Sequence, residues 1–169
     1  MQNTTHVMKR NLRYAVVLLA FTLVSQVVGA SGFDDGVAAF DRKDYDRAKE
    51  IWKPLAEQGD ARAQYRLGRM YEKGKGVWRN LRTAAKWYQE AAHLGNADAQ
   101  YRLAVAYAYG LGGLDWDETR ALMWLCRAAT QGQKKAQKVL AEVYERGKFG
   151  VEPDPERAAY WRARAETNE

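Results

Sequence analysis

Cysteine and histidine are scarce in this chain of 169 residues, and their scarcity excludes several kinds of site. Cys126 is the only cysteine, so no intramolecular disulfide can form and stability must come from packing. The only histidines are His6 and His93, and no group of His, Cys and carboxylate residues has the spacing of a metal site. Nothing in the sequence brings a base to Cys126. We therefore predict no catalytic residues, no metal and no cofactor.

Acidic residues are absent before Asp34, where the chain has its only dense apolar block, at residues 14–28. Three basic residues precede the block within residues 9–13, and small residues ending at Ala30 follow it. This order is typical of a secretory signal peptide. The uninterrupted apolar run is shorter than the about 20 residues of a spanning helix. We predict a signal peptide at residues 1–30, cleaved after Ala30, and a periplasmic or secreted protein without membrane insertion.

Loss of this segment changes the charge of the protein. Residues 1–30 carry three of the 27 basic residues and none of the 21 acidic ones, so the net charge falls from +6 to +3. A weak positive charge on an exported protein gives little reason to expect nucleic acid as a partner. Met8 begins a shorter version of the same signal, and both starts stay open.

A pattern with a period of 36 to 37 residues runs through the rest of the chain. Ala63-Gln64 recurs as Ala99-Gln100 and Ala136-Gln137. The same spacing relates Leu67, Leu103 and Leu140; Tyr71, Tyr107 and Tyr144; Gly74, Gly110 and Gly147; Ala84, Ala121 and Ala158; Trp87, Trp124 and Trp161; and Ala91, Ala128 and Ala165. So many coincidences at one period indicate an internal repeat.

Each unit is predicted to contain two helices. Apolar residues at helical spacing, such as Ala63, Leu67 and Tyr71, mark the first helix, and a glycine-rich connector ends it. A short polar residue that can cap the second helix recurs as Asp44, Asn80, Asp117 and Asp154. The units are predicted at residues 31–59, 60–95, 96–132 and 133–169. They should stack as a solenoid, because no single helix pair can bury its apolar face alone.

The first unit is shorter than the others. Its helices are joined near residues 42–44 without the glycine-rich connector, and Tyr45, Ala48 and Ile51 continue the apolar stripe. Pro54 lies inside its second helix, where we expect a lost backbone hydrogen bond and a kink.

Residues 61–95, with the sequence ARAQYRLGRMYEKGKGVWRNLRTAAKWYQEAAHLG, resemble a Sel1-like repeat, a relative of the tetratricopeptide repeat. The resemblance covers nearly all of the chain after residue 30. It implies an all-α fold, a short right-handed solenoid of antiparallel helix pairs whose concave face is formed mainly by the first helices. It implies less about function: exported bacterial members resemble adaptor and assembly factors of the cell envelope.

Candidate partner-binding residues lie where the repeat does not demand a particular side chain. Helical geometry and the resemblance place them on the expected concave face, where Tyr65 and Tyr101 are equivalent. Tyrosine and arginine are enriched at protein interfaces. The candidate residues are Arg62, Tyr65, Arg66, Arg69, Tyr101, Arg102, Lys135 and Lys138. We predict that this face binds an extended peptide or an acidic segment of a protein partner.

Other conspicuous residues are interpreted as structural. The recurrent tryptophans occupy a core-facing position of the second helix, and the glycine-rich connectors lack the Lys-Ser/Thr pair of a phosphate loop. Cys126 is interpreted as a free, partly exposed cysteine, and His93 as a favourable residue near a helix C-terminus. The carboxylates Glu57, Glu72 and Glu90 are interpreted as parts of solvated helix faces.

A non-catalytic protein-binding scaffold is therefore the main prediction, and two alternatives stay open. One is a hydrolase acting on cell-wall or lactam substrates, an activity proposed for a cysteine-rich branch of the family. This chain departs from that branch because it lacks the disulfides that tie each repeat there. The other is a glycan-binding structural protein in which Trp78 and Trp116 stack on sugar rings. A homodimer through the C-terminal end is also open, since Tyr160 and part of Trp161 are expected to be exposed there.

Overall fold

The computed structural model describes residues 32–167, and the secondary structure of this part of the chain consists of helices joined by short connectors, without strands. Helix α1 covers residues 32–41. It is followed by α2 (Tyr45–Glu57), α3 (Ala61–Lys73), α4 (Leu81–His93), α5 (Ala97–Tyr109), α6 (Glu118–Thr130), α7 (Lys134–Arg146) and α8 (Pro155–Thr167). The predicted all-α fold is confirmed.

The helices begin where short polar side chains can accept backbone hydrogen bonds. Asp44, Asn80 and Asp117 each accept from the N–H three residues later, and Asp154 Oδ1 accepts from the N–H of Arg157 at 2.9 Å. All four predicted caps are confirmed. The first helices of the later units are capped in the same way by Asp60, Asn96 and Gln133, which the sequence analysis did not single out.

Consecutive helices pack against one another along the whole described chain. Helices α3 and α4, α5 and α6, and α7 and α8 form pairs, and the second helix of each pair packs against the first helix of the next. The first helix of each of these pairs ends at a glycine with a left-handed backbone, which residues with a side chain rarely adopt. These glycines are Gly74, Gly110 and Gly147. The result is a solenoid of helix pairs.

The first unit differs in detail from its prediction. The buried residues of α2 are Ala48, Trp52 and Ala56, whereas Tyr45 and Ile51 are only half-buried. The predicted apolar stripe of α2 was therefore shifted around the helix from the face that is buried, and it missed the fully buried Trp52. Helix α2 continues through Pro54 to Glu57.

The recurrent tryptophans are not equally buried. Trp124 is buried in the central core, whereas Trp87 and Trp161 are half-buried and pack against the edges of the two apolar clusters. All three pack against core residues, so the structural interpretation holds, but full burial applies only to Trp124.

The glutamine of each Ala-Gln pair joins one unit to the next. Gln64 Nε2 donates to the carbonyl oxygen of Ala56 at 3.0 Å, and Gln100 Nε2 donates to that of Ala92 at 3.1 Å. Gln137 makes the same bond to Ala129 at 3.1 Å. All three glutamines are buried, and each adds a side-chain hydrogen bond to a carbonyl in the last turn of the preceding helix, which also accepts from the backbone N–H of the glycine that follows the helix.

The predicted signal peptide at residues 1–30 lies outside the described residues. Between residues 32 and 167, no helix combines the length and the apolar character needed to cross a membrane.

Candidate functional site

A groove lies between α3 and α5, with α4 at its base. Its cavity has a volume of about 350 Å³. The base is apolar and includes Leu81, Ala84 and Ala85 of α4 together with Val105 and Ala106 of α5. The rim carries the polar side chains Glu72, Lys73, Arg79, Tyr88 and Arg102. This combination of an apolar base and a few converging polar groups is typical of binding sites.

Glu72 is the centre of the polar rim. Its Oε2 accepts a hydrogen bond of 2.6 Å from the hydroxyl of Tyr88, and its Oε1 lies 3.3 Å from Arg102 Nη1. Lys73 Nζ lies 3.4 Å from the same Oε1, and Arg69 Nε lies 4.0 Å from Oε2. The side chain of Glu72 is only 19% exposed. Its interpretation as part of a solvated face was therefore wrong.

The ionisation of these groups follows from their surroundings. Burial alone would raise the pKa of Glu72, but the hydrogen bond from Tyr88 and the charges of Arg102 and Lys73 outweigh it and lower that pKa. Burial raises the pKa of Tyr88, and its bond to Glu72 raises it further. Tyr88 therefore stays a neutral donor and Glu72 stays an anionic acceptor.

Two of the predicted residues extend this network along α3. Arg69 Nη1 donates to the hydroxyl of Tyr65 at 3.1 Å, and the ring of Tyr65 lies 6.0 Å from that of Tyr88 between centroids. Burial alone would lower the pKa of Arg69, but the bond to Tyr65 outweighs it and raises that pKa. The structure thus brings together Tyr65, Arg69 and Arg102.

Two other predicted arginines turn toward the first unit instead. Arg62 pairs with Asp60 at 3.0 Å, and its guanidinium lies 4.3 Å from the ring centroid of Phe33. Arg66 is half-buried, and its guanidinium lies 5.7 Å from the ring centroid of Trp52. Neither lines the groove between α3 and α5.

The remaining predicted residues lie further along the solenoid. Tyr101 is half-buried and lines a second cavity of about 190 Å³, between α5 and α7. Lys135 and Lys138 are exposed on α7. The side chain of Gln133, which caps α7, donates to Asp98 of α5 at 3.1 Å, so α5 and α7 lie side by side as α3 and α5 do. We call the surface formed by α3, α5 and α7 the first-helix face.

Cys126 and His93 stay apart from this network. Cys126 is half-buried against the central core, and burial raises the pKa of its thiol, which is the opposite of activation as a nucleophile. The ring of His93 packs edge-on against Trp124 at 5.2 Å, and its Nδ1 lies 2.7 Å from the carbonyl oxygen of Gln89. Within residues 32–167, no group of His, Cys, Asp and Glu residues has the arrangement of a metal site.

Several large apolar side chains are exposed away from the groove. Trp78 is 95% exposed and Trp116 is 65% exposed, both in the connectors between the helices of a unit. At the C-terminal end, Tyr160 is 52% exposed, while Trp161 is half-buried with its ring 5.0 Å from that of Tyr160. Arg164 Nη1 donates to the hydroxyl of Tyr160 at 2.9 Å.

Stacked pairs of helices, with first helices side by side on one face, define an α-helical repeat protein of the solenoid class. Comparison with protein-family models identifies the particular repeat. The Sel1 repeat matches four times, at residues 34–60, 61–96, 97–133 and 134–165. The chain belongs to the Sel1 repeat family, whose members are generally protein–protein interaction scaffolds.

Two solved structures support this assignment. The chain is similar to a Sel1 repeat protein from Oxalobacter formigenes, with 32% identity and a TM-score of 0.75 over 81% of this chain. It is also similar to c5321, a protective antigen of uropathogenic Escherichia coli with an SLR fold, with 31% identity and a TM-score of 0.73 over 82% of this chain. The matches cover 56% and 30% of those two proteins, respectively. A comparison with curated proteins gave no match.

Proposed function

We propose that this chain is a non-catalytic scaffold of the bacterial cell envelope that binds a protein partner on its first-helix face. The observation that carries the proposal is the groove between α3 and α5, where an apolar base is bordered by Arg79 and Arg102 and the buried ring of Tyr88 forms part of the wall. Tyrosine and arginine are the residue types that most often dominate binding energy at protein interfaces. The family is generally built for such interactions.

The envelope location rests on the amino-terminal sequence. Basic residues, an apolar block and the small residues that end at Ala30 follow one another in the order of a secretory signal peptide. A direct test is to follow the length of the chain in bacterial fractions. A periplasmic or secreted form beginning at Ser31 is expected, whereas a full-length form in the cytoplasm would contradict export.

The partner-binding proposal can be tested by photo-crosslinking in the native host. A photoreactive phenylalanine analogue is placed at Tyr65 or Tyr101 on the first-helix face, and at exposed Lys86 on α4 as a control. One dominant protein adduct from the first two positions, absent from the third, is expected. Equal and diffuse labelling from all three positions would contradict the proposal.

A second candidate function is glycan binding, and the exposure of Trp78 and Trp116 favours it. Exposed tryptophan rings offer flat apolar faces on which sugar rings can stack. The double variant Trp78→Ala, Trp116→Ala leaves the groove intact, because neither side chain lines it. Loss of retention on purified peptidoglycan in that variant would support glycan binding, whereas unchanged retention or no retention by the original chain would contradict it.

A further inference from the structure

Two neighbouring cavities lie on either side of α5, and they differ in chemistry although the repeat makes them equivalent. The first is the groove between α3 and α5, and the second is the cavity between α5 and α7; Val105 lines both. The period of the repeat pairs Glu72 with Ala108, Tyr88 with Leu125, and Arg102 with Val139. The first cavity is therefore polar where the second is apolar.

The groove carries an excess of positive charge. Lys73, Arg79 and Arg102 line it, and Glu72 is the only carboxylate among its lining residues. A single carboxylate cannot balance three cations at this rim. An acidic group of a partner would therefore meet a complementary charge there.

The arginines of the rim retain donors for such a group. Arg102 uses Nη1 for Glu72, and Arg79 uses Nε for the backbone oxygen of Glu72, at 3.2 Å. A guanidinium has five N–H donors, so one bond each leaves the greater part of both side chains available. The bonds to Glu72 also hold the two arginines at the rim before any partner arrives, which reduces the entropy lost on binding.

The space in the groove results from small side chains at its base. Ala106 of α5 occupies the position that Met70 fills in the preceding unit and Val143 in the following one. The groove, at about 350 Å³, lies within the size range of about 300–1,000 Å³ that is common for ligand sites. The neighbouring cavity is smaller, and its lining of Tyr101, Leu125, Val139 and Phe149 suits an apolar side chain.

These observations deepen the function proposed above and depend on it. We infer that the partner is bound through a short linear segment that carries an acidic residue and a bulky apolar residue close together. The acidic residue occupies the groove between α3 and α5, where Arg79 and Arg102 bind its carboxylate. The segment then passes over Val105, and its apolar residue occupies the cavity between α5 and α7. Recognition of acidic motifs by clustered arginines is a recurring mode of peptide binding.

The test is selection of a random peptide library displayed on phage, with the purified chain as bait. The matched bait is the repeat-swap variant, Glu72→Ala, Tyr88→Leu, Arg102→Val, which carries the residues of the next unit at three equivalent positions. The original chain is expected to enrich peptides with an acidic residue near a bulky apolar one. The repeat-swap variant is expected to lose the acidic preference by about tenfold and to keep the apolar preference.

Single substitutions of exposed residues test the same inference if the repeat-swap variant misfolds. Arg79→Gln changes only an exposed rim residue, and Lys86→Gln removes an equal charge from the outer surface of α4. Arg79→Gln is expected to weaken binding of the selected acidic peptides several-fold, whereas Lys86→Gln should leave it unchanged. Selection of peptides without acidic residues, no selection at all, or equal effects of the two substitutions would overturn the inference.

Failure of this inference can be distinguished from failure of the proposed function. A dominant crosslinked partner at Tyr101, combined with selected peptides that lack the acidic preference, would support the proposed scaffold function and contradict the acidic and apolar recognition motif. Absence of any dominant adduct would contradict the scaffold itself.

Discussion

The hydroxyl of Tyr88 on α4 donates a hydrogen bond of 2.6 Å to Oε2 of Glu72 on α3, while the other oxygen of that carboxylate faces Arg102 on α5. One half-buried carboxylate therefore joins the two helices of one unit to the first helix of the next. The same contact forms one wall of the proposed binding groove. Stability and binding are thus expected to share residues at this point of the solenoid.

Removing the hydroxyl should weaken the fold measurably. Tyr88→Phe keeps the ring and its packing but deletes a hydrogen bond to a charged group. We expect a loss of about 1–2 kcal/mol in the free energy of unfolding, measured by urea denaturation. Tyr71→Phe is the matched control, because no hydrogen bond of the Tyr71 hydroxyl occurs among the described residues; an equal loss in both variants would contradict the assignment.

The stability supplied by Glu72 should depend on pH. Its pKa is lowered in the folded state from an ordinary value of 4.5, so ionised Glu72 stabilises the fold above that pH. This contribution is lost as the pH falls through the lower folded-state pKa. The difference in unfolding free energy between the original chain and Glu72→Gln is therefore expected to be full near neutral pH and to shrink below about 4.5.

Urea denaturation over a series of pH values measures this difference. Glu90→Gln on the exposed surface of α4 is the control, because Glu90 has no ion pair within residues 32–167. A difference that stays constant from neutral to acidic pH for Glu72→Gln would show that packing, and not charge, accounts for the role of this residue.

The repeat made the helices and their caps predictable, because both depend on residues close together in the sequence. Asn80 and Asp117 cap their helices through N–H groups only three residues away. The role of Glu72 was not predictable in this way. Its partners Tyr88 and Arg102 are 16 and 30 residues away, on two other helices, and no periodic pattern reveals which side chains meet across the stack.

The recurrent glutamines were partly predictable, unlike the caps, which were predictable, and the role of Glu72, which was not. Their period marked Gln64, Gln100 and Gln137 as part of the repeat, but a polar residue at helical spacing reads equally well as a solvated position. The structure buries all three against a carbonyl of the preceding helix. A glutamine that recurs beside a core alanine was the available signal.

Replacing one of these glutamines should lower the free energy of unfolding. Gln100→Ala removes the side-chain hydrogen bond to the carbonyl of Ala92, which still accepts from the N–H of Gly95, and also removes the acceptor of Gln131 Nε2, which lies 2.7 Å from Gln100 Oε1. We expect a loss of about 1–3 kcal/mol in unfolding free energy, because two hydrogen bonds of a buried side chain are lost and each typically contributes about 0.5–1.5 kcal/mol. Gln58→Ala, at an exposed position, is expected to change it by no more than about 0.5 kcal/mol. Similar effects of the two substitutions would contradict the role of Gln100.

Gly68 controls where the ring of Tyr88 can lie. A Cβ atom added at Gly68 would come within 2.6 Å of Cε1 of Tyr88. Alanine normally stabilises a helix interior by about 1 kcal/mol relative to glycine. At this position the clash should outweigh that gain, since overpacking typically costs about 1–3 kcal/mol. Gly68→Ala is therefore expected to lower the unfolding free energy and to move Tyr88 away from Glu72.

The next unit shows how the clash is relieved. The residues equivalent to Gly68 and Tyr88 are Ala104 and Leu125, both buried. In a Tyr88→Leu background, Gly68→Ala should therefore stabilise the protein by up to about 1 kcal/mol, the ordinary helical preference. Urea denaturation of the two single variants and the double variant forms a double-mutant cycle that isolates the coupling. Additive effects would mean that the ring of Tyr88 is not held against Gly68. If Gly68→Ala destabilised the Tyr88→Leu variant more than it destabilises the original chain, the packing that positions Tyr88 for its bond to Glu72 would be contradicted.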